Sequence, residues 1–170
     1  MLLKNISYIY LYIMNLQGLF SLIKSNIKPN IKSNKSIYYL NSIINKYNNN
    51  DWKSYTINSK NSNEINYNKQ LVDKNDDFDM YIITWYGNRE SLIHDHSENG
   101  CIYKVLQGTI IEKLYDNSLN FKDEKILSEN MIGYIDNNMG YHKILNNTDD
   151  ISITLHIYSP PNYKTTYFTD

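Results

Sequence analysis

A chain of 170 residues fits one domain and is long enough to bury a core of ordinary size. Its 17 Lys and Arg against 18 Asp and Glu leave a net charge of -1, which excludes the basic footprint that nucleic-acid binding needs. The single cysteine, Cys101, excludes an intrachain disulfide and suits a reducing compartment, so a cytoplasmic location is expected. A hydrophobic fraction of 41% supports a folded domain, and the abundance of Tyr (17 residues) with only one arginine, Arg89, reads as codon bias and not as disorder.

In chain order, Ile6 to Met14 is apolar behind Lys4 and imitates the core of a signal segment. It is shorter than the roughly 20 residues that span a bilayer, and no small-residue cleavage pattern follows it. Residues 1–15 are therefore expected to be an extension, with the start at Met1 or Met14, and residues 16–170 one domain without membrane contact. Leu16–Ile27 and Ile37–Tyr47 carry apolar residues at helical spacing (Leu19, Phe20, Ile23; Leu40, Ile43, Ile44, Tyr47), on either side of a polar linker with Pro29. Two or three short helices over about 16–50 follow from this. Residues 55–69 read as loop with a short strand toward Tyr67.

From Leu71 the pattern becomes β-rich, and a β-barrel over about 66–170 is expected. The strands fall at Met80–Tyr86, Leu92–His96, Cys101–Gln107, Gly108–Asp116, Met131–Asp136, Tyr141–Leu145 and Ile151–Ser159, with turn residues between them. The fold class is mainly β, a closed barrel or double-sheet jelly roll behind short helices.

All four histidines lie in three of these runs: His94 and His96 in Ile93-His94-Asp95-His96, His142 after Gly140-Tyr141, and His156 in Leu155-His156-Ile157-Tyr158. Neutral imidazole is the commonest side-chain metal ligand. Side chains at i and i+2 of a strand share a face, so His94 and His96 are expected to grip one ion together, joined by His142 from a later strand. Asp95 then points the other way. By itself, a cysteine in a β run is a small buried apolar residue and Lys69 a solvated cation.

The spacings resemble the two cupin motifs. Gly87, His94-x-His96, Cys101 and Gly108 form the first; Gly133, Gly140-x-His142 and Asn146 form the second. In most cupins a glutamate follows the His pair, and here Cys101 takes that place. With Ser91-Leu92-Ile93-His94-Asp95-His96, Leu106-Gln107-Gly108, Gly140-Tyr141-His142 and Leu155-His156-Ile157-Tyr158-Ser159-Pro160-Pro161, the chain resembles the eukaryotic cysteine dioxygenase family from about Tyr67 onward. The resemblance implies a cupin-type barrel, one Fe(2+) on His94, His96 and His142, a thioether between Cys101 and Tyr158, and a Thr154–His156–Tyr158 relay. It puts Tyr67 and Trp85 among the pocket aromatics and Lys69 where the family holds the substrate carboxylate with arginine. Arginine offers a planar fork and lysine a point charge, so orientation is expected to be looser. The chain as given ends at Asp170, short of the family's closing segment, which leaves closure of the pocket open.

The implied activity is oxidation of L-cysteine by O2 to cysteine sulfinic acid, as a monomer whose partners are a small thiol and O2. Alternatives are another small thiol (3-mercaptopropionate or cysteamine) and a metal-binding cupin without turnover. A zinc hydrolase is disfavoured because no glutamate stands at a general-base position near the His pair.

Overall fold

The computed structural model describes residues 14–26, 34–56 and 65–169. The segment assigned above as an extension lies outside them, except for Met14 and Asn15.

The two helices are α1 (Leu16–Asn26) and α2 (Asn34–Asn45), followed by a short 3-10 turn at Asp51–Tyr55. Helix α1 starts where Asn15 Oδ1 accepts the Gly18 amide at 2.8 Å, satisfying one of the free N–H groups of the first turn. Asp51 reaches back to the same end, accepting from the Leu16 amide (2.7 Å) and the Tyr47 hydroxyl (2.7 Å). Leu16, Leu19, Phe20 and Ile23 are buried, as their spacing predicts.

Eleven strands follow among the described residues. They are β1 (Tyr67–Lys74), β2 (Asp79–Trp85), β3 (Arg89–Glu90), β4 (Ile93–His94), β5 (Cys101–Gln107), β6 (Thr109–Tyr115), β7 (Phe121–Ser128), β8 (Ile132–Ile135), β9 (Tyr141–Asn146), β10 (Ser152–Tyr158) and β11 (Tyr167–Phe168). One sheet runs β1-β2-β10-β5-β8; the other runs β11-β4-β9-β6-β7, with β3 also on β9. All pairings are antiparallel.

Alternation along the central strands builds two cores. Met80, Ile82, Ile102, Ile153, Leu155 and Ile157 face outward and pack against the helices. Ile83, Trp85, Cys101, Tyr103 and Val105 face inward, meeting Ile110 and Ile144 of the second sheet. Strands β2 and β10 are thus buried on both sides. Lys104 stands on the outward face of β5 at 1% exposure, and its Nζ donates to the Tyr47 carbonyl at 2.7 Å and the Asn45 carbonyl at 3.4 Å. A cation at the C-terminal end of α2 satisfies terminal carbonyls and complements the helix dipole, docking helix to sheet.

Several expectations need correction. Helix α2 begins at Asn34, a turn before Ile37, and ends at Asn45. Strand β1 runs over eight residues, where a polar loop with a short strand was expected, because its hydrogen bonds to β2 do not need apolar side chains. Strand β7 was not foreseen: apart from Leu127 its residues are exposed, so no alternation marks it. It is an edge strand whose charges, Lys122 to Lys125, discourage pairing with another chain. The run expected over Leu92–His96 forms only Ile93–His94. No helix among the described residues is long and apolar enough to cross a membrane.

Candidate active site

His94 ends β4 and stands opposite His142 of β9 in register. His96 lies beyond the strand, so simple alternation does not aim it. Its peptide is clamped by Asn137, whose Oδ1 accepts from the His96 amide (2.8 Å) and whose Nδ2 donates to the His96 carbonyl (2.7 Å). The result is nevertheless one cluster. His96 Nε2 lies 3.0 Å from His142 Nε2, and His142 Nε2 lies 3.2 Å from His94 Nε2. Gly140, at φ +121°, lets the chain pass under the Tyr115 carbonyl on its way into β9, where any Cβ would collide.

Burial lowers the pKa of all three rings, so each is neutral at pH 7. Their tautomers follow from their partners. His94 Nδ1 faces the Leu92 carbonyl at 2.8 Å, which can only accept, so Nδ1 carries the proton. His142 Nδ1 faces Glu112 Oε1 at 2.7 Å and is assigned the same way. Two bare Nε2 lone pairs then confront each other, which is unfavourable unless a cation lies between them. The donor set of three neutral imidazoles, one held by a buried carboxylate, therefore fits a divalent metal such as Fe(II).

Beside this cluster, Thr154, His156 and Tyr158 all point inward from β10. Trp85 Nε1 donates to Thr154 Oγ1 at 2.8 Å, and Thr154 Oγ1 lies 2.8 Å from His156 Nε2. Tryptophan can only donate, so Thr154 Oγ1 accepts from it and keeps its own hydrogen for use at His156 Nε2; in the tautomer that receives that hydrogen, the neutral ring carries its proton on Nδ1. That nitrogen lies 3.3 Å from Tyr158 Oη and 3.5 Å from Cys101 Sγ. With the Nδ1 proton donated to Tyr158, the phenol hydrogen is free for a group in the pocket. Tyr103 stacks on His156 at 5.2 Å and 17°. The room for its ring comes from Gly133, opposite it on β8, where a Cβ would collide with Tyr103 Cζ and Oη.

Cys101 and Tyr158 are direct cross-strand partners in the β5–β10 ladder, the closest placement two strand side chains can have. Burial pushes the Cys101 thiol up to about 12, with the charge of Lys69 opposing, so the sulfur is protonated at neutral pH.

The pocket over these groups is lined by Tyr67, Lys69, His94, His142, His156 and Tyr158, among others. Trp85 forms its floor, 4.9 Å from the Tyr67 ring. Lys69 lines this pocket from an exposed position on β1, and partial desolvation by the groups around its ammonium lowers its pKa. The mouth is bordered by β11 and the residues just before it. Asp95 fastens that segment, its Oδ1 accepting the Thr166 amide at 2.7 Å, and Tyr167 meets the Tyr67 hydroxyl at 3.2 Å. Arg89 stands on β3, away from the pocket lining. A separate apolar cavity beside Leu40, Ile102 and Ile157, on the helical side of the sheet, contains none of these groups.

The structure thus brings together every residue singled out from the sequence. It also supplies Glu112, Asn137, Tyr103 and Tyr167, which sequence reasoning missed. Glu112 had a signal, a lone charge at an inward position between Ile110 and Leu114. The tyrosines had none in a chain so rich in them. Glu112 bears on the view that no glutamate stands at a general-base position near the His pair: it is near in space, but it engages the far nitrogen of His142.

Over residues 30–170 the chain matches the family described as cysteine dioxygenase type I. It is 36% identical over 106 residues to cysteine dioxygenase type 1 of Rattus norvegicus, covering 58% of this chain and 53% of that protein. For the Homo sapiens protein the identity is 35% over the same coverage. The chain spans about half the length of the curated relatives it matches. Among solved structures, a conserved protein with a double-stranded β-helix domain from Klebsiella pneumoniae superposes with a TM-score of 0.57 at 14% identity, over 72% of this chain and 97% of that one. Oxalate decarboxylase of Lactobacillus farciminis gives 0.53 at 14%, over 61% and 32%. These structures speak for the fold alone, the double-stranded β-helix of cupins. With the match running through both histidine segments and the relay, this chain belongs to the cysteine dioxygenase type I family.

Proposed function

We propose that this protein oxidises a small carboxylate-bearing thiol, L-cysteine first, with O2 to the sulfinic acid. The observation that carries the reading is a neutral three-histidine cluster sharing one pocket with a lysine and a cysteine–tyrosine pair. Ferrous iron on His94, His96 and His142 would supply coordination for thiol and O2 together, making their encounter intramolecular. Both oxygen atoms end on sulfur, so the reaction balances without an external electron donor.

The chain's own groups do the rest. Glu112 holds the His142 tautomer, and Asn137 aims His96. Lys69 neutralises the substrate carboxylate, and Tyr67 with Tyr167 narrows the mouth. With Thr154 donating to His156 Nε2 and the ring proton on Nδ1, the Tyr158 hydroxyl is left to donate to the reacting oxygen or sulfur. A preference for 3-mercaptopropionate is the second reading, favoured by Lys69, because a point charge orients a carboxylate less strictly than arginine's fork does.

Oxygen uptake by the iron-loaded protein with cysteine, 3-mercaptopropionate and cysteamine tests this. One O2 should be consumed per thiol, with the carboxylate-bearing thiols preferred. Lys69→Met should weaken apparent cysteine affinity by roughly ten- to a hundredfold, the worth of one charge-assisted hydrogen bond, and spare cysteamine. Lys69→Arg should be tolerated. Full iron content with no oxygen uptake for any thiol would leave a metal-binding cupin without turnover.

The Cys101–Tyr158 pair is proposed to become a thioether during turnover, its two hydrogens and two electrons passing to O2. Intact-mass spectra of turned-over enzyme should show a species lighter by one hydrogen molecule. Cys101→Ala and Tyr158→Phe should each lack it. A wild-type protein that stays unmodified after extended turnover defeats the idea.

A further inference from the structure

Lys69 is not held by a carboxylate: none of the ion pairs among the described residues involves it. Its Nζ instead lies 4.1 Å from the centroid of the Tyr81 ring and 3.9 Å from that of Tyr158. The two rings meet edge to face, 5.9 Å apart at 79°. Aromatic faces carry negative potential, and a cation this close to two of them is drawn into the notch they form. Lysine needs such help, because its long flexible stem has no planar fork to set its direction.

Tyr81 has a neighbour that would otherwise claim the cation. Asp79 precedes it by two residues on β2 and shares its face. Asp79 is 3% exposed; its Oδ2 accepts the Asn162 amide at 2.6 Å, while its Oδ1 is buried without a hydrogen-bond partner. Its charge already acts on Lys69. An ammonium released from the notch has a buried acceptor waiting on the same wall.

We infer that Tyr81 is a specificity-determining positioning residue, whose ring, with that of Tyr158, holds the Lys69 ammonium over the pocket and away from Asp79. Tyr81 acts through Lys69 and needs no contact with the reacting atoms. The inference rests on the reading of the substrate as a carboxylate-bearing thiol. It ties discrimination among thiols to a residue outside the histidine cluster and the relay.

The test compares iron-loaded wild type, Tyr81→Phe, Tyr81→Leu and Tyr81→Leu combined with Asp79→Asn. Anaerobic calorimetric titration gives Kd for cysteine and cysteamine, and oxygen uptake gives kcat and KM. Tyr81→Leu should weaken cysteine binding by about tenfold, leave cysteamine within about twofold, and keep kcat and iron content. Tyr81→Phe, which keeps the ring, should behave like wild type. Removing the Asp79 charge should recover part of the loss. Equal weakening for both thiols, no weakening, or a Phe variant as impaired as Leu would overturn the role of the ring. If wild type itself binds cysteine no better than cysteamine, the carboxylate reading of the substrate fails first. If wild type discriminates and Tyr81→Leu discriminates equally, only Tyr81 is wrong.

Discussion

His142→Ala should leave a folded protein that retains no iron and oxidises no thiol. His142 is the centre of the cluster, the one ring whose Nε2 lies within 3.2 Å of both others. Removing it takes a ligand away and strands Glu112, a buried carboxylate that has lost the ring it engaged. An unsatisfied buried acceptor costs about 1–3 kcal/mol, so the variant should also melt earlier than His94→Ala, whose Nδ1 partner is only a carbonyl. Glu112→Ala makes the complementary case. The three ligands remain, but the His142 tautomer is no longer held, and iron affinity should fall by about ten- to a hundredfold. Metal analysis after gel filtration, with melting curves for each variant, decides the matter. Full iron in His142→Ala would refute the ligand assignment.

Gly133→Ala should impair the enzyme from outside the pocket. The added methyl lands on the Tyr103 ring, which is fully buried and stacked on His156. Overpacking of this kind costs about 1–3 kcal/mol and moves whatever yields first. A shift of the ring away from the methyl should loosen its stack on His156, so kcat should fall while the iron content, set by other residues, stays near wild type. Adding Tyr103→Leu should restore melting temperature by removing the collision, yet leave kcat low because the stack is still missing. A Gly133→Ala protein with wild-type stability and turnover would show that Tyr103 has room to spare.

What the sequence made legible follows from periodicity and from rare residue types. Strand β5 was bounded correctly because Cys101–Gln107 alternates between two buried faces, and His94, His96 and His142 stood out because the chain has four histidines in all. The positions that escaped are defined by contacts across strands. Nothing in its local sequence says that Lys104 caps a helix 57 residues away in sequence, at the Tyr47 carbonyl. Asn137 looked like one more turn residue, and its clamp on His96 exists only once β8 and β9 are joined by that turn. Strand β7 was silent because an edge exposed on both sides has no pattern to read.

The double burial of β10 has a consequence for how freely this chain can change. Ile153, Leu155 and Ile157 answer to the helices on one side, while Thr154, His156 and Tyr158 answer to the pocket on the other. No residue of the strand is left over as a neutral surface position on which variation could accumulate unseen. A substitution that merely adjusts helix packing shifts the backbone that aims the relay, and one that tunes the relay is felt by the helices. The helical layer, on the opposite face of the sheet from the histidine cluster, is in this sense the far wall of the candidate site, and drift in one is answerable to the other.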